Sequence, residues 1–269
     1  MTILINKNPI DVSIENEKTI SEFIEGITAY LQKEKLLIQS ITCNGNEIED
    51  STLSSPLNES DCYEFSVVPY HHYLTYQTQF FLTALDELNT SPINDKQKSQ
   101  LLELLDLIGN SVAMNQLDSY KALFESENQP PKEELLKLAK ELNLILEDIK
   151  APYQQLIKIK EEFKTFLKNS TESLPIIIQK GEIHKALDAL TSLLIPCFDS
   201  IRRIFSLLKD EEAKEIAPFL QEIQPLLSSI LESCDNDDRV LLSDIVEYEL
   251  PPLLEKYING IEKIEETLS

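Results

Sequence analysis

Between residues 135 and 166, apolar side chains recur at Leu135, Leu138, Leu142, Ile145, Ile149, Leu156, Ile159, Phe163 and Phe166. The steps alternate three and four residues, interrupted once where Pro152 takes a slot that should be apolar. That is a heptad stripe held for more than four repeats, the pattern of a long helix packed along its whole length. At the α-helical rise it would span roughly 45–50 Å. The same beat returns in Ile183, Leu187, Leu190, Leu194, Cys197, Ile201, Ile204 and Leu208, and again in Ile216, Leu220, Ile223, Leu227 and Ile230. A last segment carries Leu241, Ile245 and Tyr248, then Leu254, Tyr257, Ile261, Ile264 and Leu268. Two earlier helices are expected over residues 74–88 and from a cap at Asn94 or Asp95 onward, the second breaking near Gly109-Asn110. Five to seven helices joined by short links are what an antiparallel bundle requires. Because several segments share one beat, the partners of the 135–166 stripe are expected within the chain.

Prolines interrupt these stripes at Pro152, Pro196, Pro218, Pro225 and Pro251-Pro252. An interior proline removes one backbone hydrogen bond and crowds the preceding turn, at roughly 3 kcal/mol. Each therefore marks a kink or a junction between shorter helices. The stretches around Pro152, Pro218 and Pro251 look alike, but the sequence between them does not repeat. Curved, kinked helices in one irregular bundle are the expectation.

The first 70 residues have another rhythm. Residues 2–6 and 10–14 are short β-type runs, the second alternating Ile10, Val12 and Ile14 with Asp11 and Ser13, around a turn at Asn6-Lys7-Asn8-Pro9. Thr19-Ile20-Ser21-Glu22 is a capping box, and Ile20, Phe23, Ile24, Ile27 and Leu31 line one helical face. Residues 37–43 read as a strand ended by the hairpin-type turn Asn44-Gly45. Ile48, Leu53 and Leu57 mark an irregular return before a last strand over residues 63–68.

This order, with the Asn44-Gly45 turn and Asn58-Glu59-Ser60-Asp61 before the last strand, resembles the ubiquitin-like β-grasp superfamily over about 65 residues. The resemblance implies a small mixed sheet grasping one helix. Sulfur carriers and protein modifiers of that superfamily end in a flexible Gly-Gly tail. Here the strand continues through Val67-Val68-Pro69-Tyr70 with no Gly after it. What the resemblance leaves is the fold's use as an adaptor surface. The expected class is α+β: a β-grasp domain over residues 1–70, then an all-α irregular bundle with kinked helices over residues 71–269.

Composition sharpens this picture. Five Gly and no Trp leave little room for glycine-rich phosphate loops. A net charge of −23 repels phosphate backbones and anionic lipid heads, so neither nucleic acid nor a membrane surface is an expected partner. A protein partner, especially a basic one, suits that surface. No apolar run approaches the roughly 18 residues that span a bilayer, and residues 1–9 offer no secretory signal. Cys43, Cys62, Cys197 and Cys234 form no Cys-x-x-Cys pair and read as buried thiols of a reducing compartment. Cytoplasmic residence follows as the expectation.

Catalytic motifs do not assemble. There is no G-x-G-x-x-G, no P-loop and no Glu-x-x-His pair for a di-iron bundle. His71 and His72 sit in an aromatic cluster with Tyr70, Tyr73, Tyr76, Phe80 and Phe81, which reads as rings filling the seam between the domains rather than metal ligands. Glu182-Ile183-His184 reads as a solvated face. Asp235-Asn236-Asp237-Asp238 lacks the later Gly and Glu of a calcium loop and reads as a helix cap at Asp237 or Asp238. Asp244, Glu247 and Glu249 around Tyr248 are the one acidic grouping suited to acid–base or metal work, provided it is buried.

Three functional readings emerge. The first is a non-enzymatic cytoplasmic interaction module (adaptor, scaffold or chaperone-like binder) with no cofactor. The second is an enzyme or metal-binding bundle with a buried acidic pocket around Asp244, Glu247 and Glu249. The third is a homo-oligomeric structural protein. Ile145→Asp tests the stripe beneath all of them: an unpaired charge there should abolish the cooperative thermal transition of the helical part. Wild-type melting would instead make the stripe a partner surface.

Overall fold

A computed structural model describes residues 1–10, 17–58, 60–88, 94–114, 116–126, 130–170 and 172–268. The chain divides into two compact units, Met1–Gln77 and Thr78–Ser269. That division falls inside a helix, later than the expected boundary at residue 70.

Among the described residues, the first unit holds a five-stranded mixed sheet with a helix packed on it, and its end runs into a second helix. Strands β1 (Thr2–Ile5) and β2 (Asn8–Ile10) precede helix α1 (Ile20–Lys33), and β3 (Leu36–Cys43), β4 (Asn46–Glu47) and β5 (Cys62–Pro69) follow it. The spatial order is β2-β1-β5-β3-β4, with β1 and β5 parallel and the other neighbours antiparallel. Thr19 accepts from the Glu22 amide while Glu22 accepts from the Thr19 amide, the reciprocal cap that the sequence announces. Phe23, Ile27 and Leu31 of α1 then bury against Tyr63, Phe65 and Val67, the alternate residues of β5.

Both hairpins turn on two residues with positive φ. In one they are Asn6 and Lys7 (48° and 68°), in the other Asn44 and Gly45 (52° and 84°). This left-handed pair matches the twist of the flanking strands. The first turn is therefore two residues long, and β2 begins at Asn8 rather than residue 10; Val12 and Ile14 lie outside the described residues. Each turn asparagine also reaches sideways to β5. Asn6 Oδ1 accepts from the Val67 amide at 2.9 Å, and its Nδ2 donates to the Val67 carbonyl at 3.0 Å. Asn44 Oδ1 accepts from the Cys62 amide at 2.9 Å. The central strand is thus pinned at both ends by the loops of its neighbours.

Helix α2 (Tyr70–Leu88) begins directly after Pro69. The second unit continues with α3 (Asp95–Ser111), α4 (Leu117–Glu125), α5 (Lys132–Lys150), α6 (Pro152–Ser170), α7 (Ser173–Gln179), α8 (Ile183–Phe205), α9 (Asp210–Asp235), α10 (Arg239–Asp244) and α11 (Leu250–Leu268). Among the described residues this is more segments than the five to seven expected. Asn94 caps α3 with Gln97 as its box partner. The short α7, with Leu174 and Ile178 buried, carries too few turns to show a period.

All nine apolar residues of the 135–166 stripe are buried, Ile145 with no exposure. They do not lie on one rod. Ala151 leaves the helical region at φ −145°, ψ 66°, and Pro152 opens a new helix. Proline disfavours helical geometry in the residue before it and is tolerated at a helix start. Of the two outcomes expected at an interior proline, Pro152 marks the junction: α5 packs against α8, and α6 against α8 and α11.

Pro196, Pro218 and Pro225 do lie inside helices, and all three are exposed. Each strands the carbonyl four residues earlier, on Ser192, Lys214 and Gln221, which are exposed as well. Pro251-Pro252 is handled differently. A π-helical turn, Ile245–Glu249, precedes them, and the Leu250 amide donates to Ile245, five residues back. The wider turn shifts the register, so Tyr248 of the expected stripe is exposed at 64%; Leu241, which precedes it on α10, is exposed at 42%, while Ile245 is buried as expected. Leu242, Val246, Leu250 and Leu253 take the buried places.

Candidate functional site

The π turn carries the acidic grouping singled out in the sequence. Asp244 and Glu249 are exposed and Glu247 is half-buried, so no buried acidic pocket forms there. The physical reason is the same register shift: apolar Ile245 and Val246 take the inward directions and turn the carboxylates out. Glu247 is close enough to Tyr248 to raise the phenol's pKa. Asp238 accepts from the Leu241 amide at 3.0 Å and caps α10, one of the two caps expected there. The His71 and His72 rings meet edge to face at 4.4 Å, and burial, then the neighbouring His72 charge, lowers the His71 pKa. Tyr76 and Phe80 are exposed, while Phe81 is buried with its ring 6.2 Å from that of Phe124. Among the described residues no group of three or more His, Cys, Asp or Glu is arranged to hold a metal.

The buried polar chemistry of the helical unit lies elsewhere. Asp148 on α5 is 6% exposed, accepts from Ser200 Oγ at 2.6 Å and pairs with Arg203 Nε at 2.5 Å, both on α8. Every group in this trio finds a partner, and an unpaired charge there would be costly. Glu212 on α9, also buried, accepts from Tyr153 Oη at 2.7 Å and from the Lys209 amide at 2.8 Å. Burial, then this carboxylate, drives the Tyr153 pKa far up. Lys160 on α6 is nearly buried and pairs with Glu265 on α11 at 2.5 Å. Lys164–Glu262, Lys263–Glu215 and Lys256–Glu222 add further links to α11 at 2.9, 2.7 and 2.5 Å. The helices thus spend cations from a small supply on one another.

The thiols are quiet. All four are free. Cys197 donates to Glu162 at 3.2 Å, and burial, then that carboxylate, pushes its pKa up to about 12. Nucleophilic thiols require the opposite shift. In the first unit an open cavity of about 910 Å³ is lined by Ile20, Cys43, Ile48, Leu57 and Asp61. The Tyr63 hydroxyl on β5 is buried with no hydrogen-bond partner among the described residues, and burial, then Cys43, pushes its pKa up to about 12.

What the helical unit does offer at its surface is apolar side chains. Leu136 and Leu144 on α5, Ile176 on α7, Ile195 on α8, Leu231 on α9 and Val240 on α10 are 49–71% exposed. Single exposed apolar residues are ordinary. Here they stand on a chain of net charge −23.

Two family models match parts of the chain. One, described as the TP0873 N-terminal domain, matches residues 1–68, ending within β5. The other, described as a domain of unknown function (DUF8042), matches residues 156–260, from α6 into α11. A protein of Treponema pallidum (strain Nichols), described as uncharacterized, is 24% identical over 262 residues, which is 97% of this chain and 96% of that one. No solved structure matches. The second match leaves out Asp148 but contains Ser200 and Arg203.

Asp148→Ala should destabilise the helical unit by about 3–5 kcal/mol in denaturant titration, because Arg203 is left buried and unpaired. Asp148→Leu combined with Arg203→Met should recover most of that loss; failure to recover would show that the trio does more than hold α5 on α8. Alkaline pH gives a second check. Cys197 keeps its proton in the folded state to about 12, whereas an unfolded thiol loses it near 8.5. The unfolded state then binds fewer protons, so stability is full below that pH and falls as pH rises from about 8.5 toward 12. Cys197→Ala should flatten the part of that fall below pH 10, before the tyrosines titrate.

Proposed function

We propose that this chain is a non-enzymatic, cytoplasmic protein-interaction module, with an N-terminal ubiquitin-like β-grasp domain joined to a helical binding unit. The sheet order β2-β1-β5-β3-β4 around α1, with β1 and β5 parallel at its centre, supports the β-grasp reading. Strand β5 passes into α2 through Pro69-Tyr70, so the domain presents no free tail after that strand, which favours a surface role over conjugation. Four free thiols, with Cys43, Cys197 and Cys234 pushed above the usual thiol range by burial, suit a reducing compartment. No helix among the described residues is long and apolar enough to cross a membrane.

The observation that carries the reading is the set of exposed apolar side chains on an acidic helical surface. Apolar area supplies affinity, and the surrounding charge selects partners and speeds encounter. A basic protein fits both terms; nucleic acid and anionic membranes fit neither.

Affinity capture with the full chain under native conditions should recover a protein partner in stoichiometric amount. That complex should weaken as salt is raised well above physiological strength. A strictly monomeric mass in light scattering, with no protein retained at low salt, would overturn the proposal.

A further inference from the structure

Between α8 and α9 runs an apolar cleft of about 110 Å³. Leu190, Leu194 and Ile230 form its buried floor, and Leu187, Thr191 and Leu227 its half-buried walls. Ile195 and Leu231 stand at its edges, 49% and 59% exposed. Pockets for cofactors and drug-sized ligands run to about 300–1,000 Å³, and even a cavity that holds benzene measures about 150 Å³. This volume suits one aliphatic side chain. The lining positions recur at three and four residues on both helices, so the exposed edges form two rails along which a third helix can lie.

The rim decides which helix. Asp188 lies one turn from Thr191, and Asp235 one turn from Leu231, with Glu232 beside it; all three carboxylates are exposed. The cation nearest to them along α8, Lys185, is held by Glu182 at 2.6 Å. A second copy of this chain would bring the same acidic rim against itself. A helix carrying Lys or Arg on both sides of a leucine stripe meets apolar floor and acidic rim together.

We propose that the α8–α9 cleft is a docking groove for a basic amphipathic helix of a partner protein, one large aliphatic side chain filling the cleft between Leu190 and Ile230. This rests on, and sharpens, the interaction-module reading above, by naming the surface and the partner's chemistry.

The test uses the full chain and a fluorescein-labelled synthetic helix of about 18 residues, five turns, with Leu on one face and Lys on the rest. Binding is read by anisotropy at physiological ionic strength. Leu231→Lys should weaken it by about tenfold or more, and Leu136→Lys, the same change on exposed α5, by less than about twofold. Asp188→Asn with Glu232→Gln should weaken it several-fold and flatten its salt dependence; these side chains are exposed, so folding is not at issue. A peptide with Glu in place of Lys should bind at least tenfold more weakly. Equal losses at Leu231 and Leu136, or equal binding of the Glu peptide, would overturn the groove. So would a dimer in sedimentation that Leu231→Lys dissolves, which would make a second copy the occupant. Amide-exchange protection confined to a face other than residues 187–195 and 227–231 would overturn the groove while leaving the interaction-module reading standing.

Discussion

A helix can give up a backbone hydrogen bond only where something else satisfies the stranded carbonyl, and this condition orders the helical unit. Pro196, Pro218 and Pro225 sit on outer faces, and so do the residues one turn earlier whose carbonyls lose a donor. Water then does what the missing amide cannot. An outward proline also opens the solvent side of its helix, the sense in which long helices curve around a core. Where the requirement could not be met by exposure, the backbone changes instead. Pro152 sits at a helix start and needs no amide, and the tandem Pro251-Pro252 is preceded by a π turn that reroutes the bonding by one residue. Long apolar stripes and frequent prolines coexist because each proline is outside, at an end, or preceded by a wider turn.

The polar interior follows a related economy. With 24 basic residues against 47 acidic ones, cations are scarce, and the helical unit places them where two helices meet. Arg203 joins α8 to α5 through Asp148, and Lys160 joins α6 to α11 through Glu265. Exposed members of this ladder, such as Lys256–Glu222, contribute little singly. The buried Asp148–Ser200–Arg203 trio fixes one register of α5 against α8, since any slip leaves a charge unpaired. Cations spent between helices leave the remaining surface acidic. That links packing to the kind of partner the surface suits.

Much of this was legible from residue spacing alone. The nine apolar residues of the stripe from Leu135 to Phe166 are all buried, Thr19 caps as its sequence announces, Asn94 is one of the two caps expected for α3, and Asn44-Gly45 turns as such pairs do. The failures around residues 244–249 share a cause: heptad counting assumes an unbroken α-helix. The π turn adds a residue to one turn, so heptad counting placed Tyr248 in the core and hid the role of Val246. The same shift undid the idea of a buried acidic pocket at Asp244, Glu247 and Glu249. The buried Asp148 left a trace, for it sits between Ile145 and Ile149, as Ser200 and Arg203 sit among Cys197, Ile201 and Ile204. Polar residues wedged into two apolar stripes are a signal to look for one another, but spacing within a helix cannot say which other helix supplies the partner.

The placement of β5 has a consequence for how the first unit comes into being. Thr2 finds its partner in Cys62, and Leu36 in Pro69, so the strand that both neighbours need is the last to be synthesised. An emerging chain can form α1 and the β1–β2 hairpin early, but an isolated hairpin is barely stable in water. The hydrophobic side of α1 therefore lacks Tyr63, Phe65 and Val67, the largest part of its cover, until residue 69 has been synthesised. Closure is then a single late event of high contact order, and it coincides with the birth of α2 at Tyr70. Nascent chains cut short of β5 would be open to chaperones and proteases, whereas chains a few residues longer would already be shut.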